Sequence, residues 1–171
     1  KVADKEALLA LEIDGRSIAD LITDRSGITG EKMELGFYEV VNGNATVAYI
    51  HPGNKLATVV AFNEALDTQV AREIAMQVAA MNPIAVKRDE VPANIIATEL
   101  EVGREKARQE GKPEAMLDKI AEGRLNKFYK ESTLLEQEFI KDAKLSVQQY
   151  LKQASASLTA TAFKRVTLNE E

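Results

Sequence analysis

The sequence has no cysteine and no tryptophan, a single histidine and only four prolines in 171 residues. Without cysteine there is no disulfide scaffold, thiolate metal site or cysteine nucleophile. With one histidine, His51, a metal would have to be held by carboxylates around it, and no such spacing occurs. No apolar run approaches the ~20 residues of a membrane span, and the opening "KVADKEALLALEIDG" lacks the apolar region of a signal peptide. A soluble cytoplasmic protein is expected. Basic residues are also in deficit, 22 against 27 acidic for a net charge of −5, so no basic face marks a nucleic-acid binder.

What is present suits one compact domain with an appendage: 45% hydrophobic and 29% charged residues, the charges mixed rather than blocked. The chain opens without methionine and as if in mid-helix, with Val2, Leu8 and Leu9 among Asp4, Lys5 and Glu6, which points to a fragment or a processed chain. Residues 1–30 read as short helices, with Ser17 an N-cap and Gly27 a stop. Next comes an antiparallel meander. Its strands are 32–41, ended by the hairpin signal Asn42-Gly43, then 45–50, ended by "HPGN", and 55–62, apolar enough to be buried on both faces. A helix over 67–81 follows, capped by Asp67, with Val70, Ile74 and Val78 on one face and Pro83 beyond its end.

Two further stripes, Ile96-Leu100-Gly103-Ala107 and Leu117-Ala121-Leu125-Phe128, flank "EGKP", where Gly111 ends one helix and Pro113 opens another. Two helices of about 17 residues joined so tightly must run antiparallel and reach roughly 25 Å. A helix over 146–155 and a strand over 157–168 complete the chain, the strand joining the meander's sheet.

Catalytic motifs are missing. "SGITGEKM" fails as a phosphate loop, because Gly27 and Gly30 are too close and Glu31 precedes Lys32. Pairs such as Glu136 and Glu138 are ordinary in an acidic chain, and "RLNKFYK" reads as core packing with a solvated basic edge rather than as a base-stacking surface. Recognition is therefore the favoured class, no cofactor is expected, and the chain is read as not an enzyme.

Several stretches carry a resemblance. "EGKPEAMLDKIAEGRLNKFYKESTLLEQEFIKD" is similar to the signature region of the elongation factor Ts family: Gly111-Lys112-Pro113, Glu122-Gly123-Arg124, Leu134-Leu135, Gln137, Phe139-Ile140 and Lys144 through Val147 stand at the family's motif positions. "TGEKMEL", "YIHPGNKLATVVAFN" and "REIAMQVAAMNPIAVKRDEVP" resemble further family segments in the right order, from about residue 18 to the end, with wording closest to Bacteroidetes-type members.

The resemblance implies guanine-nucleotide exchange on elongation factor Tu. It also implies an α+β fold, a small antiparallel sheet covered by helices with an inserted antiparallel helical hairpin (a coiled coil): 1–42 as the tail of a first core half, 43–91 with 129–171 as the second, and 92–128 as the insertion. Partner contacts are implied at Thr29, Gly30, His51, Phe139 and Ile140, with Lys141 beside them, although a lysine at 141 departs from the family's usual residue. The family's Thr-Gly-Ala-Gly and Thr-Asp-Phe-Val segments, the second of which wedges into the nucleotide site, do not occur in these 171 residues. Little exchange activity is therefore expected of the chain alone. A second function class is self-association through the stripe Leu100, Ala107, Leu117 and Leu125, giving a homodimer. No contact with nucleic acid or membrane is expected.

Overall fold

A computed structural model describes residues 1–169. The chain divides into two compact units, Lys1–Val40 and Val41–Glu171.

In the first unit, α1 (Lys5–Ala10) is started by Asp4, whose carboxylate accepts the Ala7 N–H. The helix therefore begins at its own cap within the chain, not in mid-helix as the sequence suggested. A two-residue hairpin follows, β1 (Glu12–Ile13) against β2 (Arg16–Ser17). Asp14 and Gly15 turn it with φ of 53° and 79°, the left-handed pair of a tight hairpin turn. Ser17 caps α2 (Ile18–Thr29) by accepting the Asp20 N–H, as its sequence position predicts. The expected stop at Gly27 is corrected: the helix runs through it and ends at Gly30, whose φ of 72° makes the left-handed C-cap. Residues 32–41, expected to be a strand, form none, because no described strand lies alongside to complete a ladder. The segment is instead tied by the Met33 N–H to Ser26 Oγ at 2.9 Å, and by the Tyr38 hydroxyl to the Val2 carbonyl at 3.1 Å. No side chain in this unit is fully buried.

The second unit holds the core. β3 (Ala45–Ile50), β4 (Leu56–Phe62) and β7 (Ala160–Thr167) form an antiparallel sheet with β4 in the middle. Thr58, Val60, Ala61 and Phe62 are all buried, so the second half of β4 is covered on both faces. Gly43 passes so close over it that a Cβ there would sit 2.7 Å from Ala61 Cβ. The helix α3 (Thr68–Met81), capped by Asp67, lays Ile74, Ala75 and Val78 on the sheet, and the Thr58 hydroxyl donates to the Ala75 carbonyl at 2.8 Å. Asn82, with φ 43°, closes α3 ahead of Pro83.

The helices α4 (Ala93–Gln109) and α5 (Leu117–Ser132) form the expected hairpin, with Gly111 in the left-handed region and Pro113 leading into the turn of 3-10 helix that opens α5. Arg104–Asp118, Arg108–Glu114 and Arg124–Glu110 pair across it at 2.6, 3.0 and 2.6 Å. A short hairpin of β5 (Glu138–Phe139) and β6 (Asp142–Ser146), absent from the sequence reading, then leads into α6 (Val147–Ala154). Ser146 and Gln149 form a reciprocal capping box at its start. The mixed helix-and-strand architecture is α+β.

Candidate functional site

Two turns of the second unit meet beside α3. The first joins β3 to β4 and carries His51, whose N–H donates to the Leu56 carbonyl at 2.9 Å while Asn54 and Gly53 take positive φ. The second joins β5 to β6 and carries Ile140 and Lys141 between the paired residues Phe139 and Asp142. Together with Tyr49, Leu56, Met76, Ala79 and Ala80, His51 and Ile140 line a small apolar cleft of about 200 Å³. Ile140 is 40% exposed, a large aliphatic side chain offered to solvent at the edge of an apolar depression.

His51 is oriented from inside the sheet. Its Nδ1 lies 3.0 Å from the hydroxyl of buried Tyr49, leaving Nε2 as the outward nitrogen. The Arg72 guanidinium stands 5.4 Å over the Tyr49 ring.

The second turn is held by two polar residues one helical turn apart on α3. The Gln77 Oε1 accepts the Ile140 N–H at 2.9 Å, and its Nε2 donates to the Glu138 carbonyl at 3.0 Å and to Gln137 Oε1 at 3.3 Å. Glu73 receives the Lys141 ammonium at 2.8 Å on one oxygen and the Tyr150 hydroxyl on the other. These two donors hold the Glu73 carboxyl below the usual carboxylate range, Lys141 contributing most. Burial, and then the hydrogen bond to Glu73, raises the Tyr150 phenol.

The six residues singled out from sequence therefore fall in different surroundings. His51 and Ile140 share the cleft. Lys141 lies beside it, its charge engaged by Glu73. Phe139 is 3% exposed and stacks on Tyr150, so its ring belongs to the core and supports the turn from beneath. Thr29 and Gly30 belong to the first unit, where the Thr29 hydroxyl donates to the Arg25 carbonyl at 2.9 Å and Gly30 caps the helix. Gln77 and Glu73 were not singled out. Gln77 carried a readable signal, since a glutamine beside Val78 and one turn from Ile74 interrupts an otherwise apolar stripe.

Behind the turn, Arg88 makes a forked pair with Glu136, with its Nη2 2.7 Å from Oε2. It also donates to Asn126 Oδ1 at 2.9 Å and lies 4.9 Å over the Tyr129 ring. The base of α5 is thereby joined to the segment leading into β5. Of the stripe weighed for self-association, Ala107 at 0% and Leu117 at 3% exposure pack inside the hairpin, while Leu100 and Leu125 remain partly exposed. Among the described residues no group of three or more histidine or carboxylate side chains is placed to hold a metal ion, and no helix is long and apolar enough to cross a membrane.

Comparison with known proteins gives a consistent answer. The family profile described as Elongation factor TS matches residues 1–170. The protein named Elongation factor Ts from Porphyromonas gingivalis is 61% identical over 172 residues, covering 100% of this chain and 63% of its own length. The proteins of that name from Azobacteroides pseudotrichonymphae and Flavobacterium psychrophilum are 56% and 45% identical, covering 97% and 96% of this chain and 61% of their own lengths. The chain thus spans about three-fifths of these curated relatives.

Proposed function

The chain belongs to the elongation factor Ts family, and we propose that it docks on elongation factor Tu through the paired turns at His51 and Ile140 as part of a guanine-nucleotide exchange factor. The supporting observation is the joint placement of these two side chains on one apolar cleft, each held by buried groups behind it. An exposed isoleucine on a rigid two-residue turn loses little conformational freedom on binding, which favours such a residue as an anchor.

Exchange itself needs no covalent chemistry. A protein that binds the nucleotide-free form of its partner more tightly than the loaded form lowers nucleotide affinity by the same factor. In this reading residues 1–42 belong to one half of the family's core. Residues 43–91 with 129–171 form the other half, and 92–128 are the inserted hairpin. Thr29 and Gly30 supply a contact from the first half, and Lys141 acts beside Ile140. The wedge segment implied by the family resemblance is not among these 171 residues, so by themselves they dock and open the nucleotide site weakly.

Titration of the chain against nucleotide-free elongation factor Tu tests the docking. Ile140→Asp should weaken binding at least about tenfold, or ~1.4 kcal/mol, and His51→Ala should weaken it less. Binding unchanged by both substitutions would sink the proposal.

A further inference from the structure

We infer that Gln77 is a positioning residue for docking: its side-chain amide takes the place of a neighbouring strand along β5 and so holds Ile140 at the mouth of the cleft. The inference rests on the docking role proposed above for Ile140.

The strand β5 is paired with β6 along one edge only, and its other edge faces α3. Along an extended chain the carbonyl of one residue and the N–H of the second residue after it point the same way. A neighbouring strand would meet that pair with one donor and one acceptor. Gln77 supplies both from a single side chain, to the Glu138 carbonyl and the Ile140 N–H. The assignment of its oxygen and nitrogen is fixed by the backbone, since the Ile140 N–H can only donate. Its second amide hydrogen goes to Gln137 Oε1, and Gln137 Nε2 in turn donates to the Glu131 carbonyl at 3.0 Å and the Met81 carbonyl at 3.4 Å. Gln77 is 0% and Gln137 1% exposed, and no buried side-chain nitrogen or oxygen among the described residues lacks a partner.

No other side chain of this length does the same. Glutamate would set an oxygen against two acceptors. Methionine would leave the Glu138 carbonyl and the Ile140 N–H with nothing, and asparagine stops one methylene short. Burial this complete would ordinarily select an apolar residue at a position on the stripe of α3. What glutamine adds is the geometry of the turn that carries Ile140.

The test is a double-mutant cycle on the whole chain, read as competition for nucleotide-free elongation factor Tu well below each variant's melting temperature. Gln77→Met is expected to weaken competition roughly five- to tenfold, Ile140→Ala by a similar factor, and the double variant no further than Ile140→Ala alone. A structural role without positioning would leave the folded Gln77→Met chain binding normally, or would make its loss add in full to that of Ile140→Ala. Either result overturns the inference alone. If Ile140→Ala binds normally, the docking reading fails and this role with it. Should Gln77→Met not fold, Gln77→Asn is followed by amide hydrogen exchange. The Ile140 N–H should lose its protection while the α3 amides keep theirs, and a protected Ile140 amide in that variant would overturn the inference.

Discussion

The ring of Phe139 lies nearly flat on that of Tyr150, with centroids 4.0 Å apart and planes 13° from parallel. One partner is buried in the core, and the other hands its hydroxyl to Glu73, the residue that also holds Lys141. The stack is the floor under the turn proposed to dock. Phe139→Ala should therefore cost about 3–5 kcal/mol of unfolding free energy. Phe139→Leu should cost less and leave affinity for elongation factor Tu close to normal at low temperature. Denaturant unfolding beside a binding titration distinguishes this from a direct contact, which would lose affinity with little change in stability.

The floor has a pH signature. Glu73 has an ordinary value of 4.5 and is held below it in the folded chain by hydrogen bonds from Lys141 and then Tyr150. A depressed folded value means that the stabilisation is complete above the unfolded value and is lost as pH falls through the folded one. Unfolding free energy should thus decline from just above pH 4.5 downwards, and Glu73→Gln should flatten that decline. A wild-type acid slope in the Glu73→Gln variant would show that other carboxylates dominate it.

In the hairpin, a side chain at Gly103 would meet Ala121 at 3.1 Å from its Cα and 3.2 Å from its Cβ. The helices cross here because neither residue is larger. Gly103→Val should destabilise by about 1–3 kcal/mol through overpacking. Gly103→Ala should be near neutral, since the ~1 kcal/mol gain in helix propensity is set against the close contact. Calorimetric melting of the two variants measures the difference.

Arg88 joins α5 to the approach of β5 by a planar fork. Lysine keeps the charge but cannot reach Glu136 and Asn126 together. With Arg88 39% and Glu136 27% exposed, Arg88→Lys should cost only about 1 kcal/mol. Its clearer effect should be faster amide exchange at the end of α5 and at Leu134 and Leu135, whose N–H groups bond to Ala85 and Val86. Unchanged exchange at those amides would show that the junction is held without the fork.

Much of the second unit was legible because its signals are local. The turn signals on either side of 45–50, the apolar run over 55–62, the Asp67 cap and the Gly111–Pro113 break each specify an element from neighbouring residues, and all appear in the structure. The errors lie where pairing decides. Residues 32–41 have strand composition, but a strand exists only with a partner alongside. Gly27 and Gly30 are equivalent as letters, and only the second takes a positive φ. At the site, the resemblance pointed to His51 and Ile140 separately, but their common cleft is a long-range fact set by the sheet register and by α3. Gln77 reads as a flaw in an apolar stripe until the backbone it serves comes into view.

The most direct measurement is the release of fluorescent GDP from elongation factor Tu, followed by stopped flow with this chain in excess and then in competition with a full-length factor Ts. Little acceleration is expected from the chain alone. Competition should slow the full-length factor's reaction, and that slowing should be lost in Ile140→Asp. Release as fast as with the full-length factor would mean that the second core half opens the nucleotide site unaided. An absence of competition at any concentration would contradict docking through the turns at His51 and Ile140.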